Sequence, residues 1–366
     1  MMLTIETLFN DPNIVSAVIN RVQQTRADVI FWQQYLDFKR TTTRVFKDYI
    51  GSVTGVMAGS INSQFGEKAI RERRNIGSGY GEIAYLGDRY QISIDRLSDL
   101  QDLIDKYNVA KPEDQKAALN EIVDYIYDDF RQVLLAAHKR MDLVVGALIM
   151  TGKATVKNKD DRKDTDAADL LNIELPFKFI TPEAAVKQKF ISYLQESINQ
   201  LKAKHGVFSK MIMSRATFVQ NVVGSPELGD KFKMILGQRE ILASANLVTS
   251  DLASQVFTGI GLPAIEIKDD YVIDQQEINR QVYADNRITL LQQDKIGHMR
   301  FHTPYESVDP IPGRTYSKSE GDMLISQVRD NTGRFLEYTA EWIPQIAAPN
   351  RMVNFDLSVM NNIQEG

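Results

Sequence analysis

A long run of regularly spaced apolar residues in the first half of the chain predicts one continuous helix. Within 112–151, apolar side chains recur in steps of three or four residues, which places them on one face of an α-helix. Pro112 and the two acids after it suit a first turn, and Gly152 suits the end. At 1.5 Å per residue, the helix is about 60 Å long. The alternative is two helices that meet at Gly146. The stripe consists of Leu119, Ile122, Ile126, Phe130, Val133, Ala137, Met141, Val144 and Leu148.

The first hundred residues carry two other patterns. In 1–50, apolar residues between Ile14 and Val22 follow helical spacing and predict a helical arm. In 51–97, eight glycines separate β-branched, aromatic and polar residues, and apolar positions alternate on either side of Gly87-Asp88. Alternation interrupted by a glycine turn predicts an extended hairpin with little core of its own. A segment of this length and composition usually depends on a partner for support.

The second half of the chain alternates between helix and strand signals. A helix is predicted from Thr181 to His205, followed by a short strand over 207–213 and a further helix. Strands are predicted within 263–303, and a final pair of strands within 334–359. This alternation predicts a compact second domain of mixed helix and strand.

Composition narrows the chemistry that the chain can carry. Its 366 residues include no cysteine, four histidines and 43 basic against 48 acidic residues, for a formal net charge of −5. Without cysteine there are no disulfides, thiolate metal sites or cysteine nucleophiles. The acidic balance argues against a protein that coats nucleic acid with basic residues. No apolar run reaches the about 20 residues of a membrane helix, so we expect no membrane partner.

The motifs that could serve catalysis, a cofactor or a metal fail in spacing or context. Gly146–Lys153 has five residues between its glycines, where a phosphate loop has four. Gly77–Gly81 does not join a strand to a helix, as a dinucleotide loop does. His298 and His302 are predicted to lie on a strand about 13 Å apart, too far to share a metal. His138 is predicted on the surface of the long helix. We assign no catalytic, cofactor-binding or metal-binding residue.

Two charge clusters of opposite sign suggest a contact between subunits. The basic cluster lies in the glycine-rich segment, and the acidic cluster lies on the long helix. We predict that the basic cluster of one subunit lies on the acidic helix of another; the alternative is two solvated surfaces. The residues are Lys68, Arg71, Arg73 and Arg74 in the basic cluster, and Glu121, Asp124, Asp128 and Asp129 in the acidic cluster.

The order of these parts resembles the major capsid proteins of tailed bacteriophages, which have the Hong Kong 97 capsid fold, and most of all their lambda-like branch. Three passages carry the resemblance: RMDLVVGALIMTGKATV at the end of the long helix, PAIEIKDDYVIDQQEINRQVYADNRITLL leading to GHMRF, and the closing GRFLEYTAEWIPQIAAPNRMVNFDLS. The resemblance covers nearly the whole chain, but it is one of order and pattern and includes no invariant catalytic motif.

The resemblance implies an α+β architecture with five parts. They are an N-terminal arm at 1–50, an extended hairpin loop at 51–97, a peripheral domain at 98–174 with the spine helix at 112–151, an axial domain at 175–303, and C-terminal strands at 304–366 that return to the peripheral domain.

The same resemblance implies a structural role without enzymatic activity or cofactor. The chain is expected to assemble with itself, as hexamers and pentamers, into the icosahedral shell around a double-stranded DNA genome. Scaffolding, portal and decoration proteins are the further partners expected, and contact with DNA is weak and non-specific. The expected location is the virion, after a period in the host cytoplasm before assembly. Two alternatives are a bacterial nanocompartment shell of the encapsulin type and an unidentified carboxylate-dependent hydrolase.

Overall fold

The computed structural model describes residues 2–25, 29–50, 77–157, 169–175, 179–236, 249–274, 277–330, 333–347 and 349–361. The chain forms two compact units. Unit 1 consists of Met1–Phe46, Gly81–Asp142 and His298–Gln345, and unit 2 consists of Lys47–Tyr80, Leu143–Gly297 and Ile346–Gly366.

The described helices and strands follow each other in a mixed order. The helices are α1 (Ile5–Asn10), α2 (Pro12–Thr25), α3 (Phe31–Tyr35), α4 (Ile94–Val109), α5 (Gln115–Thr151), α6 (Phe190–His205), α7 (Arg215–Thr217), α8 (Glu227–Leu236), α9 (Ser250–Gly259) and α10 (Ser358–Asn361). The strands are β1 (Leu36–Arg40), β2 (Val45–Ile50), β3 (Gly77–Glu82), β4 (Ala84–Ile92), β5 (Lys153–Lys157), β6 (Asp169–Glu174), β7 (Phe179–Ile180), β8 (Lys210–Met213), β9 (Ala264–Ile267), β10 (Tyr271–Ile273), β11 (Asn279–Gln281), β12 (Arg287–Leu291), β13 (Gly297–His302), β14 (Tyr316–Lys318), β15 (Leu324–Asp330), β16 (Gly333–Ile346) and β17 (Val353–Asp356).

Helix α5 runs without a break for 37 residues, as its apolar spacing predicts. It begins at Gln115 rather than at 112, because the preceding residues form a turn in which the Asp114 N–H donates to the Lys111 carbonyl at 2.8 Å. Every residue of the predicted stripe from Ile122 to Leu148 is buried. The helix therefore places an apolar face in the protein core along most of its length.

Gly146 allows α5 to pass close to another backbone segment of unit 2. A Cβ atom at this position would lie 2.2 Å from the Val282 carbonyl oxygen and 2.9 Å from Val282 Cγ1. No side chain fits such a gap without moving the backbone. The glycine thus marks a close packing contact, and the alternative of two helices that meet there is wrong.

The sheet of unit 1 has the strand order β1-β13-β16-β15-β14, and β4 also pairs with β16. β16 pairs antiparallel with β15 along one edge and with β4 along the other. The predicted turn at Gly87-Asp88 is wrong, because β4 continues straight through, with Gly87 opposite Thr339 and Asp88 opposite Tyr338. A Cβ atom on Gly87 would lie 3.0 Å from the Tyr338 carbonyl oxygen. This glycine permits close strand pairing instead of a turn.

The N-terminal helices pack into unit 1 of their own chain. Leu8 on α1 and Val18 on α2 are fully buried, and the ring of Phe9 stacks on Phe130 of α5 with 6.2 Å between centroids. Asn108, near the end of α4, holds the start of the chain by donating to the Leu3 carbonyl and accepting from the Leu3 N–H, both at 2.8 Å. Over the described residues, this segment is part of the unit 1 core.

His138 lies among aromatic rings, and its predicted place on the surface is wrong. Only 3% of the residue is exposed. Its ring lies parallel to that of Trp32 at a centroid distance of 5.7 Å, and 4.9 Å from that of Trp342. Phe38 completes the cluster. These partners come from α3, β1 and β16, so the charged neighbours of His138 on α5 gave no sign of them.

The sheet of unit 2 has the order β7-β17-β12-β8-β9. Apolar residues of α6, α8 and α9 form its core together with strand residues such as Met211, Leu290 and Phe355. β17 pairs antiparallel with β12, so the last strand belongs to unit 2. The predicted return of 304–366 to the peripheral domain stays a prediction. The pattern of a strand shows that it is half-buried but does not identify its partner.

A buried polar network attaches the end of α5 to this sheet. The Thr289 hydroxyl lies 2.8 Å from the Tyr283 hydroxyl and 2.6 Å from Asn354 Oδ1, and the Asn354 amide donates to the Ile149 carbonyl at 3.0 Å. Helix ends leave carbonyl groups without partners inside the helix, and these buried side chains satisfy one of them. Burial raises the pKa of Tyr283 above its usual value, which keeps the hydroxyl protonated.

The contact at Gly146 leads to a stability prediction. Gly146→Ala should destabilise the isolated subunit by about 1–3 kcal/mol, because forced overpacking outweighs the gain in helix propensity of about 1 kcal/mol. Gly229→Ala on α8 is the matched control, since a Cβ atom there has no neighbour within 4 Å. It should stabilise by up to about 1 kcal/mol. Urea unfolding of both variants measures the difference, and equal effects would contradict the packing account.

Candidate subunit interfaces

The acidic cluster on α5 forms ion pairs largely within its own chain. Glu121 binds Lys106 of α4 at 2.6 Å, Asp124 binds Arg21 of α2 at 2.5 Å, and Asp129 binds Arg96 of α4 at 2.7 Å. Asp128 is exposed and has no ion-pair partner among the described residues. Of the predicted cluster, Asp128 is therefore the carboxylate whose charge is most available to another subunit.

The basic half of the predicted contact cannot be placed. Lys68, Arg71, Arg73 and Arg74 lie outside the described residues. The contact between this cluster and the acidic helix therefore stays a prediction. In the structure, Glu121, Asp124 and Asp129 already pair with basic side chains of their own chain. A basic side chain from a neighbouring subunit would compete with these for the same carboxylates.

The chain on either side of residues 51–76 forms a small sheet of its own. β2 and β3 form a two-stranded sheet, and residues 51–76 between them lie outside the described chain. Beside the start of β2, Arg44 forms an ion pair with Glu341 of β16 at 2.6 Å, and His302 of β13 contacts the same carboxylate at 2.8 Å. Sequence analysis missed this group. Its one signal in the sequence was Glu341, an acid between the apolar residues Ala340 and Trp342.

A second candidate surface lies on unit 2, on the small sheet of β10 and β11. Tyr271 and Ile273 on β10 are 52% and 71% exposed, and Ile278 beside β11 is 49% exposed. Residues two apart on a strand share a face, so Tyr271 and Ile273 project on the same side. Single exposed apolar residues are ordinary, but a group of them indicates a contact surface.

A third candidate surface is the proline-containing loop of unit 1 after β13. Tyr305, Val308 and Ile311 in this loop are exposed, and the Tyr305 hydroxyl donates to the Asp309 carboxylate at 2.8 Å. Proline fixes the backbone φ angle, so Pro310 and Pro312 limit the freedom of the loop. An ordered apolar loop of this kind can bury surface against a neighbour at a modest entropic cost.

The described part of the chain shows neither a metal site nor a membrane helix. No three His, Asp or Glu side chains come together there as a metal site, and no helix is long and apolar enough to cross a membrane. His302 pairs with Glu341 instead of with His298. Burial, together with nearby Lys39 and Arg300, holds the pKa of His298 below its usual value.

Similarity to known proteins is found among solved structures. No protein-family model and no curated protein matches the chain. Among solved structures, a prophage protein of Escherichia coli CFT073 assigned to the capsid matches with a TM-score of 0.57 and 11% identity, over 94% of this chain and 98% of that one. A phage-related protein of Bordetella bronchiseptica RB50 matches with a TM-score of 0.51 and 8% identity, over 95% and 98%.

The likeness extends over nearly the full length of this chain and of both solved structures. At 8–11% identity it is a likeness of fold. The chain has the α+β Hong Kong 97 capsid fold.

Proposed function

We propose that this chain is a major capsid protein, the subunit from which a tailed phage or prophage builds its icosahedral shell. The observation that carries the proposal is a capsid fold matched over 94% of this chain and 98% of its neighbour. Fold alone does not fix function, so the surfaces of this chain must support the role.

The surfaces of this chain support assembly with copies of itself. Several of its exposed apolar residues lie on or beside β10 and β11 and on the loop after β13, and β2 and β3 form a separate two-stranded sheet. Elements of this kind bury little surface within one subunit and gain stability from a neighbour. We propose hexamers and pentamers of this chain as the assembly units, with scaffolding, portal and decoration proteins as further partners.

The proposed role is structural and not enzymatic, with the virion as the location of the mature protein and the host cytoplasm before assembly. A net charge of −5 fits weak and non-specific contact with packaged DNA. A nanocompartment shell would require the same fold, but the two well-matched neighbours are a prophage protein and a phage-related protein, which favours the capsid role.

Direct observation of particles tests the proposed function. The full chain is expressed with the genes that flank it, purified, and analysed by sedimentation velocity and negative-stain electron microscopy. We expect closed icosahedral particles of uniform size. A chain that stays monomeric under every condition, while folded by circular dichroism, would contradict the proposal.

The predicted contact between charge clusters gives a second test. Reversal of Arg71, Arg73 and Arg74 to Glu should lower the yield of closed particles and leave the melting temperature of the free subunit near that of the original chain. Each exposed ion pair contributes only about 0–1 kcal/mol, but in a closed shell the loss recurs at every interface. High salt should reduce the difference, because the Debye length falls to about 3 Å at 1 M.

A compensating change provides the control for this reversal. Asp128→Lys, added to the reversed cluster, should restore part of the particle yield, because Asp128 has no ion-pair partner among the described residues. Normal assembly of the triple variant at low salt would refute the contact. Unfolding of the triple variant would also refute it, since the cluster would then belong to the subunit's own core.

The apolar surface of β10 gives a third test. Ile273→Asp should reduce particle yield several-fold and change the free energy of unfolding by no more than about 0.5 kcal/mol, as is usual for exposed positions. Val207→Asp is the matched control, since Val207 is 75% exposed and lies outside β10 and β11. Particle counts by electron microscopy compare the two variants. Equal yields would show that the β10 surface does not take part in assembly.

A further inference from the structure

Two arginines lie directly opposite each other where β15 and β16 pair in unit 1. Arg329 is aligned with Arg334, one step before the final pair of Asp330 with Gly333. Directly opposite residues project from the same face of a sheet, with Cβ atoms about 4.5–5.5 Å apart, and like charges at such positions repel each other. Arg329 and Arg334, the arginine pair, therefore concentrate positive charge at this end of the two strands.

Arg334 is the buried member of the arginine pair. Only 6% of the residue is exposed, although a guanidinium group carries five N–H donors. Its central carbon lies 5.8 Å from the centroid of the Phe9 ring on α1, and its Nη1 atom has no hydrogen-bond partner among the described residues. A buried donor without a partner is costly, because it has lost its hydrogen bonds to water and gained none in return.

The electrostatic environment of Arg334 lacks a negative charge in contact with it. Burial, and then the charge of Arg329, lower the pKa of Arg334, whereas Glu6 on α1 acts in the opposite direction. Glu6 is exposed and forms no ion pair with Arg334. Within the part of the chain that the structure describes, no carboxylate binds either guanidinium of the arginine pair.

Acids are present nearby, but they bind other arginines. Arg314 pairs with Glu337 at 2.9 Å, and Arg89 pairs with Asp330 at 3.2 Å. Asp330 follows Arg329 in the chain, but consecutive strand residues project to opposite faces of a sheet. The unpaired charge of the arginine pair thus follows from how the side chains are arranged and not from a shortage of acids.

We propose that Arg329 and Arg334 form a binding site for an oxyanion, that is, a phosphate or carboxylate group. Guanidinium groups match the geometry of both and bind them through charge-assisted hydrogen bonds. Arg329 is exposed and makes the first contact with an anion that arrives from solvent. Arg334 contributes a buried charge, whose interactions are strengthened by the low local dielectric constant. Two sources supply this chemistry: a small anion in solution, and an acidic side chain of a second copy of the chain.

Anion titration of the free, full-length subunit tests this inference. Inorganic phosphate and acetate are the probes, and sodium chloride at the same ionic strength is the reference. At least one probe should raise the melting temperature in a saturable way, because a ligand that binds the folded state stabilises it. Isothermal titration calorimetry should show binding of that probe weakened about tenfold or more in Arg334→Met and in Arg329→Gln, the loss expected for one charge-assisted hydrogen bond.

The stability of Arg334→Met without oxyanion provides a second readout. In chloride, this variant should melt at or above the temperature of the original chain, because an apolar side chain replaces a buried, unpaired charge beside Phe9. The probe that binds should then stabilise the original chain and not the variant. A residue that served packing alone would give no such dependence on the anion.

Arg314→Gln is the matched control, since Arg314 is largely buried and already pairs with Glu337. Its response to both probes should equal that of the original chain. The inference is overturned if neither probe gives a saturable rise beyond that in chloride, or if the rise persists unchanged in Arg334→Met and Arg329→Gln. If Arg334→Met does not fold, Arg329→Gln decides alone, because it changes an exposed side chain.

Assembly distinguishes the two sources of the oxyanion, and this step alone rests on the proposed function. If an acidic side chain of a neighbouring copy fills the site, free subunits bind the probe and closed particles do not. If the anion comes from solution, both forms bind it, and either result supports the site. If the original chain forms no particles, the proposed function fails, while the titrations of the free subunit still decide whether the arginine pair binds an oxyanion.

Discussion

The structure depends on one long amphipathic helix that supplies core residues to both compact units. Residues of α5 up to Asp142 belong to unit 1, and those from Leu143 onward belong to unit 2. Its buried stripe runs from Ile122 to Leu148, so each core contains part of this helix. Burial of apolar surface is the dominant favourable contribution to the free energy of folding, and this stripe supplies part of that surface. Gly146, which allows backbone contact at Val282, and the polar network around Thr289 fix the C-terminal part of the helix in unit 2.

Helix α5 also carries acidic side chains that form ion pairs within unit 1. Three of the four predicted interface carboxylates on α5 already bind Arg21, Arg96 or Lys106 of the same chain. These exposed pairs add little stability, and they leave Asp128 as the carboxylate most open to a neighbour. In contrast, the buried carboxylate of Glu341 pairs with Arg44 and His302. An exposed ion pair on α5 can be lost at little cost, whereas loss of the partners of Glu341 would leave a buried charge unpaired.

The sequence predicted those elements whose signal is local. The stripe of α5, the end of α6 at His205 and the apolar run of β12 each lie within one segment, so periodicity and end signals are sufficient. The predicted start at Thr181 is wrong, because α6 begins at Phe190 after a short 3₁₀ helix over Ala184–Lys189. What it missed depends on distant partners. The path of β4 through Gly87-Asp88 follows from pairing with β16, and the burial of His138 follows from Trp32 and Trp342. The Arg44–Glu341 pair joins residues 297 positions apart and could not be read from spacing.

A side-chain-resolution cryo-electron microscopy reconstruction of the assembled particle tests the central claim most directly. The claim is that this chain builds a shell in which elements with little core of their own are completed by neighbours. The account predicts that the hairpin formed by β2, β3 and the residues between them contacts a neighbouring subunit, with the β10–β11 surface also buried. A reconstruction in which the hairpin packs on its own subunit, and β10–β11 stays in solvent, would contradict it.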